Sequence, residues 1–142
     1  MGSINISRWL LGGLAAAALI WLVEGAGAVL YMGDMQESMA QHGLVMDLGF
    51  TSWLISVVVS LISGFALVFF YAACRTRLGA GPRTAVIVAL AMWVGGYLTS
   101  LLGYQMLGLF PTRMLVTWGA LGLIEMILAS WLGAAIYREA QA

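Results

Sequence analysis

Lysine is absent from this chain, and charge of either sign is scarce. Six arginines and six acidic residues make up 8% of 142 residues, against 63% hydrophobic. A soluble domain carries about a quarter charged residues. Twelve charged side chains cannot coat a soluble fold of this size, whereas a bilayer accepts apolar side chains on the outside of a protein. A net charge of zero leaves no basic stripe for nucleic acid. The single cysteine, Cys74, cannot form an internal disulfide. One His and one Cys also exclude the common zinc sites. No low-complexity tract or linker divides the chain, so one domain over 1–142 is expected.

What the sequence has is long apolar runs. A helix needs about 20 apolar residues to cross the hydrocarbon. Four stretches qualify, at 9–32, 50–74, 84–110 and 114–137. The segment 33–49 is polar, and the turn 75–83 carries three arginines. Pro111 ends the third run, and Thr112 is expected as N-cap of the fourth. Arg8, the apolar run after it and Ala26-Gly27-Ala28 resemble a secretory leader. The run continues through Met32, which favours a retained span.

Arginine placement gives orientation. Arg8, Arg75, Arg77, Arg83 and Arg138 fall on one side, and only Arg113 on the other, with Asp34, Glu37 and Asp47. Both termini are therefore expected in the cytoplasm of a bacterial inner (cytoplasmic) membrane. The expected fold is all-α: a transmembrane four-helix up-down bundle with a short amphipathic segment in its outer loop. Short connections make sequential helices antiparallel, and the ring places the first and fourth side by side. Glu24/Tyr31 and Tyr97/Tyr104 share a spacing of seven on the first and third spans, a weak sign of a duplicated hairpin.

Two acids lie inside apolar runs. Glu24 is ten residues before Asp34, and Glu125 twelve after Arg113, so they sit at roughly 15 and 18 Å from the outer boundary. A charge near mid-membrane costs at least about 2.5–3.5 kcal/mol on insertion scales. Gly13, Ala17, Trp21, Ala28 and Tyr31 share the face of Glu24; Trp118, Gly122, Ala129 and Leu132 share that of Glu125. Small neighbours let helices approach, so both acids are expected to point inward. Tyr97, Ser100 and Tyr104 form a stripe of hydroxyl donors on the third span. Glu24, Glu125, Tyr97, Tyr104 and Tyr31 thus form the candidate ligand or proton site. Two carboxyls this close would share a proton. The plainer alternative is interhelical glue.

Met32, Met35, Met39, His42 and Met46 recur at spacings of three and four. Thioethers and imidazole suit Cu(I), but an amphipathic helix capping the bundle explains the pattern more simply. Ser52, Ser56, Ser60 and Ser63 read as a packing stripe. The only histidine lies in the outer loop, away from the serines of the spans, so serine–histidine catalysis is not expected. The Gly79-Ala80-Gly81 turn is not a dinucleotide fingerprint, because no strand precedes it, and the cofactor is left unassigned.

Several segments together carry a resemblance. They are Glu24, Ser38-Met39-Ala40, Gly81-Pro82-Arg83-Thr84-Ala85, Gly108-Leu109-Phe110-Pro111-Thr112-Arg113, Gly122-Leu123-Ile124-Glu125 and Tyr137-Arg138-Glu139. In these the chain resembles small four-span bacterial integral membrane proteins of uncharacterised function. The resemblance implies the architecture and brings no activity with it.

Three functional classes follow. The first choice is a non-catalytic accessory or scaffold subunit of a larger membrane complex, or a homo-oligomer, with the lipid bilayer as its other partner. The alternative is a small carrier, channel or ligand-binding protein built on Glu24 and Glu125. An intramembrane enzyme acting on lipid or quinone ranks last, because no nucleophile–base pair is visible.

Overall fold

Hydropathy and end signals together fix where each helix begins and stops. The computed structural model describes residues 4–138, and all regular structure in them is helical. Helix α1 is Ile6–Gly27, extended by a 3-10 turn at Ala28–Leu30. Helix α2 is Met32–Gln41, α3 Phe50–Leu78, α4 Pro82–Met92, α5 Thr99–Leu107 and α6 Thr112–Ile136. One turn of π-helix, Trp93–Leu98, joins α4 to α5. Four stretches are long and apolar enough to cross a membrane: Ile6–Leu30, Phe50–Leu78, Pro82–Leu107 and Thr112–Ile136. Glu139, part of the resemblance above, lies outside the described residues.

The boundaries follow from local chemistry. The Asn5 side chain accepts from the Arg8 amide at 3.2 Å and starts α1 three residues before the expected edge. Arg75 and Arg77 in the last turn of α3 oppose its negative end, so the helix runs on to Leu78. Gly79 then turns the chain at φ 85°, and Pro82 opens α4 at a position that needs no amide hydrogen. The third span stops at Leu107, short of the expected 110. Gly108 takes a left-handed φ of 64°, and the Leu109 amide reaches back to the Tyr104 carbonyl at 3.3 Å. Thr112 is not the N-cap expected of it. Pro111, with ψ at 138°, holds that position, and the Thr112 hydroxyl donates to Gln105 Oε1 at 3.1 Å.

The four spans pack as a bundle in which α6 touches α1, α3 and α4, and α1 also lies along α3. The chain's two ends meet: the Asn5 amide donates to the Tyr137 hydroxyl at 3.3 Å, and Tyr71 stacks edge-on to Tyr137 at 6.3 Å. The Gly81 amide donates to Tyr71, so the α3–α4 turn belongs to this same end. Arg75 lies over both rings, 5.9 Å from Tyr71 and 5.4 Å from Tyr137.

Small residues set the helix spacing. A Cβ on Gly64 would lie 2.6 Å from the Gly13 carbonyl oxygen, and one on Gly12 3.0 Å from that of Gly133. Lipid tails are as apolar as leucine, so such contact replaces the hydrophobic effect as the force between spans. Leu11, Leu22, Val59, Ile62, Val116 and Ile124 are all exposed, as expected of surfaces that meet acyl chains. Ser56 and Ser60 donate to carbonyls of their own helix, at 2.7 and 2.9 Å, and Ser56 also accepts from the Trp21 indole, so these two hydroxyls of the stripe serve packing.

Helix α2 leans on the opposite end of the bundle. Met35 packs beside the buried cluster of Tyr31, Leu101, Met114 and Leu115. Arg113 meets Asp34 at 2.9 Å and ties α6 to α2. The helix stops at Gln41 ahead of Gly43, whose φ is 71°. Met46 therefore falls outside the helix that carries Met32, Met35 and Met39. His42 caps that helix, with Nδ1 2.8 Å from the Ser38 carbonyl.

Candidate functional site

Glu24 lies near the end of α1 and depends on three other segments for its partners. Tyr31, two turns further on, donates its hydroxyl to Glu24 Oε1. The Trp118 indole on α6 donates to the same oxygen at 3.0 Å. Tyr97, on the π turn, donates to Oε2 at 3.2 Å. Glu24 thus accepts three neutral donors, two on one oxygen and one on the other. Neutral donors hold a buried carboxylate without a counter-ion, provided their own geometry is fixed.

Ring packing fixes it. Trp118 is stacked by two rings, by Tyr31 at 5.6 Å and by Tyr104 at 5.8 Å, the latter nearly parallel at 6°. Tyr97 meets the Trp118 ring edge-on at 6.2 Å. Tyr104 in turn packs edge-on to Phe110 at 5.5 Å. The rings pack on one another, and three of them, Tyr31, Tyr97 and Trp118, give their hydrogens to Glu24.

The π turn supplies the remaining geometry. One extra residue in the turn widens the helix and changes the phase between α4 and α5. Within it the Trp93 indole donates to the Gly119 carbonyl at 3.0 Å. Tyr97 fits only because residue 122 is glycine: a Cβ there would lie 2.6 Å from the ring carbon Cε1. The Thr99 and Ser100 hydroxyls are used inside the turn, donating to Gly96 at 3.0 and 2.8 Å. Ser100 therefore gives its hydrogen bond to its own helix, not to either acid.

Glu125 faces this network from α6. Its carboxyl neighbours that of Glu24 closely enough to interact directly, and its side chain is 2% exposed. Its Oε2 has no hydrogen-bond partner among the described residues. An orphaned oxygen so deeply buried is uncommon, because an unmet acceptor costs about 1–3 kcal/mol.

Of the expected site residues, Glu24, Glu125, Tyr97 and Tyr31 converge. Tyr104 reaches them only by stacking on Trp118. Trp118 is the partner that sequence reasoning missed as a donor. It stood on the face of Glu125, seven residues earlier, where it read as packing. Met32, Met35, Met39 and His42 lie on or at the end of α2, and of these Met35 packs beside the cluster that holds Tyr31. Among the described residues, no three His, Cys, Asp or Glu side chains gather as a metal site.

The chain matches no family model, no curated protein and no solved structure.

Proposed function

We propose that this four-span protein binds a proton between Glu24 and Glu125, as a small proton- or cation-linked carrier or ligand-binding protein of a bacterial inner membrane. The orphaned Oε2 of Glu125 beside a fully partnered Glu24 carries this reading. Glu24 already accepts from Tyr31, Tyr97 and Trp118. Two bare carboxylates side by side would repel each other in a medium that screens poorly. One proton on Glu125 turns that repulsion into a hydrogen bond to Glu24. Tyr31, Tyr97 and Trp118 then hold Glu24 as the acceptor, and Glu125 is the group that loads and releases. The half-buried Glu24 gives the pair its contact with the surroundings. In this reading the termini lie in the cytoplasm, supported by five arginines at that end against Arg113 at the other.

Infrared difference spectroscopy tests it. A pH jump on the protein in lipid nanodiscs should produce a protonated-carboxyl band that Glu125→Gln and Glu24→Gln each remove. If both variants give the wild-type spectrum, the acids serve as interhelical glue.

The second reading is an accessory subunit or homo-oligomer. Gly95, Thr99 and Gly103 recur every four residues on the third span. They face away from the bundle, with open space around both glycines. A helix from another subunit would approach closely there. Disulfide trapping through Thr99→Cys in a Cys74→Ala background tests the homo-oligomer: a crosslinked dimer in native membranes supports it, and its absence removes self-association through this face.

A further inference from the structure

An apolar groove of about 530 Å³ runs between α5 and α6, and neither Glu24 nor Glu125 lines it. Its walls include Leu98, Leu102, Val116, Ala120 and Leu123, and Trp93 and Gly119 also line it. Gln105 and Thr112 are its only residues with polar side chains besides the Trp93 indole, which is already bonded to Gly119. Both belong to the end of the bundle opposite the chain termini. From Thr112 to Leu123 is eleven residues of α6, a rise of about 16 Å. Half of the hydrocarbon core is about 15 Å deep. The groove therefore covers the depth of one leaflet, polar at the interface and apolar to the midplane.

Its mouth is rich in donors. Thr112 donates to Gln105 Oε1, which leaves the amide hydrogens of the exposed Gln105 for another acceptor. Arg113 stands three residues before Val116 and seven before Ala120, on the same stripe of α6. One of its nitrogens binds Asp34, yet the guanidinium stays 84% exposed. Amide and guanidinium hydrogens above a single apolar slot fit a phosphodiester carrying an acyl chain.

We propose that this groove holds one anionic phospholipid of the leaflet opposite the termini. One acyl chain lies along Val116, Ala120 and Leu123, and the phosphate meets Arg113 and Gln105. The site is separate from the carboxyl pair and does not depend on it. Its walls include Trp93 and Gly119, which are joined by the Trp93 indole hydrogen bond.

Native mass spectrometry of the detergent-purified protein, titrated with phosphatidylglycerol and with phosphatidylcholine, tests this. The wild type should retain one phosphatidylglycerol per chain. Ala120→Trp fills the groove at an exposed position and should weaken retention by about tenfold or more. Leu128→Trp, exposed elsewhere on α6, should bind as the wild type does, and a wild-type circular dichroism melt of Ala120→Trp itself excludes misfolding as the cause. Arg113→Gln should reduce retention by about fivefold, the effect of one juxtamembrane basic residue. Equal retention by wild type and Ala120→Trp overturns the proposal. Equal binding of both lipids overturns the assigned headgroup. A dimer that Ala120→Trp disrupts overturns the lipid in favour of a second copy of the chain.

Discussion

Replacing Glu24 tests the aromatic network most directly. Glu24→Ala removes the acceptor of Tyr31, Tyr97 and Trp118 together. Side-chain hydrogen bonds between membrane helices average about 0.6 kcal/mol, which puts a floor of about 2 kcal/mol on three. Donors left buried without a partner cost about 1–3 kcal/mol each. Tyr31 is buried and held in place, whereas Tyr97 and Trp118 are only partly buried and have room to turn toward main-chain carbonyls, which recovers part of the loss. The expected destabilisation is therefore about 2–5 kcal/mol. Glu24→Gln behaves differently. Its amide oxygen keeps Tyr31 and Trp118, and its amide hydrogens reach the Tyr97 oxygen and Glu125. That change should cost under about 1 kcal/mol. Both are measured by equilibrium unfolding in mixed micelles, titrated with dodecyl sulfate and followed by circular dichroism. If alanine costs no more than glutamine, the three donors do not depend on Glu24 and the network is wrongly drawn.

Other expected outcomes follow from close contacts and exposed groups. Gly64→Leu drives a side chain into the Gly13 carbonyl and should part α1 from α3, with loss of folded protein in size-exclusion profiles. Gly122→Val should displace the Tyr97 ring and weaken the carboxyl band in the infrared experiment while the protein still folds. The exposed Arg113–Asp34 pair should contribute under about 1 kcal/mol, so Asp34→Asn should leave the unfolding midpoint nearly unchanged. Cysteine labelling at position 37, in a Cys74→Ala background, should occur only from outside the cell; labelling from the cytoplasm reverses the assigned orientation.

The spans were legible because hydropathy over about 20 residues integrates many weak signals. Their ends were less so. Arg75 and Arg77 look like loop residues by composition, yet they extend α3 by their charge at its last turn. Gly108 ends the third span by a backbone conformation that hydropathy does not register. The acids stood out because charge is rare in such a chain. Their partners did not, because tyrosine and tryptophan are ordinary residues of a membrane helix. The π turn was hidden for a further reason. A strict helical period placed Tyr97, Ser100 and Tyr104 on one stripe, but the turn breaks that period and gives each residue a different task.

The stacking of Trp118 has a practical consequence. Its indole hydrogen is held by Glu24 and its ring by two tyrosines, so its absorbance is tied to the charge of one oxygen. The protein carries its own optical gauge. Subtracting the ultraviolet spectrum of Trp118→Phe from that of the wild type isolates the signal from the five other tryptophans, and it follows the carboxyl pair without an added dye.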